Sequence, residues 1–260
     1  MQSIRFSQRT SLYHNEIDIC SPELANIVAY PDFSLGEYSS RLNEISSFGI
    51  THFLPTGRTR IGKITIAGKG CVSIVLKVRA KNKICALKIR RTDANRKTME
   101  REMSLHQIAN SAGVGPNIFR YSDNYILMEF IDGLSIIDWV KQRSITADQV
   151  RNVATAILQQ CYNLDRAHID HGELSCLDRH VIVSKSNTAN IIDFESSSTQ
   201  RKSCNVTAAA QSLFIGGGLI ANRINEILGC AKKEKIIQIL KAYKRSQNRA
   251  NFDKIIDTFC

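Results

Sequence analysis

The 260 residues, 43% hydrophobic and 23% charged, have the balance of a folded globular protein and exclude a disordered chain. No apolar run approaches the ~18 residues that cross a bilayer, and the N-terminal stretch lacks the apolar core of a signal peptide. A cytoplasmic protein that enters no membrane is therefore expected. The net charge of +11 asks for an anionic partner, such as a nucleotide, RNA or an acidic protein, without choosing among them; eight cysteines with neither a CxxC pair nor zinc-ligand spacing read as buried thiols.

In chain order, Ser21 followed by Pro22 predicts a short helix running to Val28 and stopping before Pro31. A second helix is predicted over 38–48, with Leu42 and Ile45 inward and Gly49 ending it. Residues 1–56 are too few for a sizeable core and read as a helical appendage packed on the strand-rich region next to it. Strands are predicted over 72–78 and 84–89, joined by a turn at 81–83 and preceded by a glycine turn. A helix over 92–112 ends near Gly113; 125–130 is an apolar strand that Asp132-Gly133 breaks. Helices are expected over 135–143 and 146–167, interrupted by a strand pair at 181–183 and 190–192. Residues 231–249 carry seven Lys and Arg against Glu234, with Ile236, Ile237, Leu240 and Tyr243 at helical spacing; this reads as a basic amphipathic helix, either a solvated face or a surface for RNA or a ribonucleoprotein.

Several positions carry chemistry. Gly68-Lys69-Gly70 can close backbone N–H groups over phosphate oxygens, although GxG turns are common in sheets and no Walker lysine comes after it. Lys88, in the middle of the apolar strand Cys85-Ala86-Leu87-Lys88-Ile89, is either an edge lysine reaching water or a phosphate-binding one. Such a lysine needs an acid, and Glu102, bordering the stripe Leu105, Ile108, Ala109, is favoured over Glu100. The run from Ile126 to Gly133 reads as a connector whose backbone can meet an adenine edge, with Met128 behind it. Asp170-His171-Gly172-Glu173 puts a carboxylate in a loop after a helix, and Asp193 ends a short strand, either as a turn former or as a hard oxygen ligand for Mg²⁺.

Taken in that order, these residues resemble the protein-kinase-like superfamily over about residues 57–200. The stretches at 86–96, 112–116, 180–183 and 191–196 are similar to small archaeal predicted serine/threonine kinases, and the compactness is similar to that of RIO kinases and the small kinase of the KEOPS complex. The resemblance implies an α+β, bilobal fold: an antiparallel-sheet N-lobe with one main helix over 57–130, and a compact, mainly helical C-lobe over 131–260. It further implies that Gly68 and Gly70 cover the phosphates of ATP, that Val75 and Ala86 line the nucleotide pocket, that Lys88 holds the α/β-phosphates and that Glu102 holds Lys88. Glu129 and Ile131 offer backbone groups to adenine beside Met128. Asp193 binds Mg²⁺, with Asp178 or His180 at the second metal position.

Three positions depart from the family pattern. Glu173 stands where an Asp accepts the substrate proton, Asp178 or His180 where an Asn is usual, and Glu195 where a flexible glycine follows Asp-Phe. The implied activity is an atypical serine/threonine kinase acting on a protein or on itself. The alternative is an ATP-binding regulatory pseudokinase or slow ATPase associated with RNA or a ribonucleoprotein.

Overall fold

Apolar residues alternate along much of 73–80 and run almost unbroken along 84–89, and in the computed structural model, which describes residues 16–229 and 233–259, the two segments pair as one long antiparallel hairpin. The chain divides into two compact units, Met1–Lys97 and Thr98–Cys260. It is an α+β protein with an antiparallel sheet towards the N-terminus and a mainly helical C-terminal part.

The first unit holds β1 (Ile17–Asp18), a 3₁₀ turn (Pro22–Leu24), α1 (Ala25–Val28), α2 (Leu35–Ser47) and β2 (Ile50–Leu54). Then come β3 (Thr59–Ile61), β4 (Ile64–Ile66), β5 (Gly68–Lys69), β6 (Ser73–Ala80) and β7 (Lys83–Arg90). β6 is the centre: it pairs with β7 along its whole length on one side, and with β2 and then β5 on the other. The hairpin turns at Lys81-Asn82, Lys81 taking a left-handed φ of 53°. One face of the sheet buries Ile74, Leu76, Val78, Leu87 and Ile89; Val75, Lys77, Ala86 and Lys88 share the other by the alternation of a strand.

The helix predicted over 38–48 starts earlier, at Leu35, because the Ser34 hydroxyl accepts the Glu37 N–H (3.2 Å) and caps it. Its innermost residue is Arg41, fully buried, whose guanidinium donates to the Val28 and Arg90 carbonyls at 3.1 and 2.6 Å and pairs with Glu37 at 2.6 Å. Ile45 is buried, whereas Leu42 is only half-buried.

The second unit begins with α3 (Glu100–Ser111), so the predicted helical start at 92 is eight residues early. Asp93 accepts both ends of the Arg91 guanidinium fork (2.8 and 2.6 Å), and Ala94 N–H donates back to the Arg91 carbonyl, which holds this stretch in a turn. Ile108, expected inward, is 40% exposed; the buried stripe is Glu102, Leu105, His106 and Ala109. The hairpin β8 (Ile118–Tyr121) and β9 (Tyr125–Glu129) comes next.

Gly133 opens a strand rather than ending one. β10 (Gly133–Ser135) pairs with β11 (Val181–Ser184), which pairs with β12 (Ala189–Ile191). Val183 O lies where a Cβ on Gly133 would stand, so the close approach needs glycine. α4 (Ile136–Val140), α5 (Ala147–Arg166), α6 (Leu177–His180), α7 (Asn205–Ala210), α8 (Leu219–Leu228), α9 (Lys233–Arg245) and α10 (Arg249–Phe259) complete the unit.

α5 opens with a capping box: Gln149 N–H donates to the Thr146 hydroxyl (3.2 Å) and Thr146 N–H to the Gln149 side chain (2.9 Å). Val150, Val153, Ile157, Cys161 and Leu164 run down its buried side into the core of this unit. In α9, Ile236, Leu240 and Tyr243 face inward and Ile237 is 39% exposed. Among the described residues no helix is long and apolar enough to cross a membrane.

Candidate nucleotide site

In the first unit the expected phosphate-loop residues lie side by side. Gly68 is opposite Val75 on β6, and Val75 is opposite Lys88 on β7, so the three form one row across the sheet. Lys88 is 4% exposed, which removes the reading of an edge lysine reaching water. A buried ammonium on a central strand persists only where charge and hydrogen bonds compensate its lost hydration. Ala86, buried and two residues away, is on the same side.

The glycine turn is closed by the Gly70 N–H donating to the Ser73 carbonyl (2.8 Å). A residue that sequence reasoning passed over, Arg91, clamps it: its N–H donates to Val72 O (2.8 Å) and its guanidinium to Gly70 O (2.9 Å). The Asp93 carboxylate beside it raises the guanidinium further above its ordinary value, and Arg91 in turn holds Asp93 below the usual carboxylate range. Tyr30 receives the Lys69 ammonium at 5.0 Å and the Arg91 guanidinium at 5.3 Å from its ring centre. The signal for Arg91 is its place directly after the strand that carries Lys88.

In the second unit, Glu102 is 3% exposed and Glu100 is exposed. The Glu129 N–H donates to Asn117 O (2.9 Å) inside the β8–β9 hairpin, so only its carbonyl can serve a ligand; Met128 and Ile131 are half-buried.

The loop after α5 is built on a buried polar core. His171 N–H donates to Asn205 Oδ1 (2.9 Å), and Asn205 donates from its backbone and its side chain to Asp165 Oδ1 (2.9 and 2.8 Å). Asp165 Oδ2 accepts from Val206 N–H (3.3 Å) and from the Tyr243 hydroxyl (3.0 Å). Burial pushes the Asp165 carboxyl up, against the pull of these donors, and the same burial with Asp165 alongside pushes Tyr243 up. Burial lowers His171 to about 4, so its ring is neutral at pH 7. Its Nε2 meets the Ile192 carbonyl at 3.1 Å and therefore carries the proton; Nδ1 is buried without a hydrogen-bond partner.

Ile192 leads into Asp193, which takes a left-handed φ of 70°. The strain of a non-glycine residue there marks a turned strand end. Phe194, fully buried, stacks on His106 (4.7 Å between ring centres) and meets the edge of His171 (5.4 Å). Gly115 makes the room, because a Cβ there would lie 2.6 Å from the Phe194 ring. Asp170 pairs with Arg201 (2.6 Å) and exchanges two backbone hydrogen bonds with Ser198 (2.9 Å each), tying the loop to the segment after Phe194.

Glu173 is half-exposed, its Oε2 3.6 Å from His180 Nε2. His180, 6% exposed at the end of α6, also meets the His171 ring at 5.3 Å. Asp178 is half-buried two residues earlier. α6 is a single helical turn between this loop and β11. Among the described residues no group of three or more His, Cys, Asp or Glu side chains could by itself hold a metal ion. Asp193, Asp178 and His180 therefore do not form such a group; Mg²⁺ is commonly held by one or two carboxylates together with phosphate oxygens and water. Within the first unit, the row Gly68–Val75–Lys88 sets a buried cation beside a glycine turn, a donor chemistry suited to phosphate oxygens.

No curated protein matches the chain. A protein-family model described as RIO domain matches residues 75–206, from Val75 through Lys88, Glu102, Glu173 and Asp193 to the start of α7. The chain thus belongs to the RIO domain family, within the atypical branch of the protein-kinase-like superfamily.

Proposed function

We propose that the protein is a Mg²⁺- and ATP-dependent serine/threonine kinase that phosphorylates a protein substrate or itself. The observation that carries this reading is the buried Lys88 ammonium, in one row with Val75 and Gly68. In this reading ATP supplies the γ-phosphoryl group. Gly68 and Gly70 cover its phosphates, Lys88 holds the α/β-phosphates, and Val75, Ala86 and Met128 contact the base, which the Glu129 carbonyl and Ile131 backbone orient. Asp193 holds Mg²⁺, with Asp178 or His180 assisting, and Glu173 takes the proton of the acceptor hydroxyl. His171, neutral and hydrogen-bonded to Ile192 O, sets the loop that carries Glu173 against the strand end that carries Asp193.

A second reading, an ATP-binding regulator or slow ATPase, is supported by the approach of His180 Nε2 to Glu173 at 3.6 Å, which engages the carboxylate that would act as base. Mg-ATP titration with γ-phosphate transfer measured in the same samples separates the two. For a kinase, Lys88→Ala and Asp193→Ala weaken binding about tenfold or more, and Glu173→Gln keeps binding while transfer falls on the order of 10²-fold. Binding without transfer in the wild type selects the regulator, and no binding at all defeats both.

A further inference from the structure

Residues 45–92 hold eleven Lys and Arg and no Asp or Glu. At the chain's own frequency of 24 acids in 260 residues, a stretch of this length would hold about four. The imbalance separates the units: Met1–Lys97 carries sixteen Lys and Arg against seven acids, and the remainder nineteen against seventeen. Nearly all of the net +11 thus belongs to the first unit rather than to α9.

Within that acid-free stretch, β3 and β4 form a two-stranded ribbon inserted between β2 and β5, the two strands that share one edge of β6. Ile64 and Ile66 anchor its inner face, 9% and 0% exposed. Arg60 lies opposite Thr65 on the outer side, Arg58 stands in the bend just before β3, and Lys63 follows Gly62 at the tip; all three are exposed. Like charges gathered on a small exposed ribbon attract a polyanion. Nothing in the ATP reading uses these three side chains.

We infer that the outer face of this ribbon, with Arg58, Arg60 and Lys63, docks the sugar–phosphate backbone of a nucleic acid. Contacts of this kind read charge and spacing, so binding is insensitive to sequence and strongly dependent on salt. The test uses the full chain and a fluorescent single-stranded RNA of about 20 nucleotides, titrated between about 50 and about 200 mM salt. The combined variant Arg58→Gln, Arg60→Gln, Lys63→Gln is expected to bind at least about tenfold more weakly at the lower salt. Its salt slope should be shallower by about 2, or ~0.7 for each phosphate that is no longer neutralised.

All three side chains are exposed, so thermal unfolding of the variant should match the wild type and exclude misfolding as the cause. A wild type that does not bind RNA overturns the proposal, as does a ribbon variant with unchanged affinity and slope. Loss confined to a Lys233→Gln, Lys235→Gln, Lys241→Gln variant assigns the RNA to α9 and also overturns it. Polyglutamate binding in place of RNA makes the partner an acidic polypeptide and overturns it likewise.

Discussion

Burial keeps the proton off the second nitrogen of His171, and this has a thermodynamic consequence. The unfolded chain takes up that proton below pH 6.5, whereas the folded chain refuses it until about pH 4. The stability tied to neutral His171 is therefore complete above pH 6.5 and is lost as pH falls from 6.5 towards 4. The loss amounts to about 3 kcal/mol over that window. Asp165 works in the opposite sense: its raised carboxyl binds a proton in the folded state first, so acid returns part of the loss. Urea unfolding at about pH 7 and about pH 4.5 measures the sum, and His171→Gln should flatten the profile. An equally steep profile in that variant would move the effect elsewhere. The same residue illustrates what a sequence conceals. His171 is legible as part of a His-x-acid loop, but its tautomer depends on a carbonyl 21 residues away, and its backbone is held by Asn205. Asn205-Val206-Thr207 reads as a glycosylation pattern in the sequence; in the fold its amide is buried and fully engaged by Asp165, Ile169 and His171.

At the scale of elements, the strands and long helices were legible because their apolar patterns are strong: β6, β7 and α5 start and stop within two residues of expectation. The misplacements have local causes. α3 begins late because Arg91 and Asp93 close a turn, and α2 begins early because Ser34 caps it. The acid-free ribbon could have been noticed by counting charges per segment, yet its place at the sheet edge depends on β2 and β5 both pairing with β6. α9 was legible as basic and amphipathic, and Lys232, the first basic residue of that stretch, lies outside the described residues. Its inner face does more than pack, since Tyr243 donates to the buried Asp165. Tyr243→Phe removes one of that carboxylate's four donors and is expected to cost about 1–3 kcal/mol in denaturant unfolding. If Asp165 is the reason, Tyr243→Phe in an Asp165→Asn background should cost clearly less.

Over the whole molecule, the candidate site is proposed from an ordered set of residue types, because each proposed role asks for a chemistry that few side chains supply. The supports were not legible in the sequence, because Arg91, Asp165, Asn205 and His106 are ordinary residues until the fold brings their partners to them. Those supports reach well past the matched domain. Asp165 is completed by Tyr243 in α9, and Tyr162 on α5 stacks on Phe252 in α10 at 4.5 Å between ring centres. Phe252 and Ile255 belong to the same buried cluster as Phe194. A gene fragment cut to the boundaries 75–206 would therefore expose a hydrophobic face and strand a carboxylate inside it. The smallest portion of this protein worth expressing for nucleotide work runs through α10.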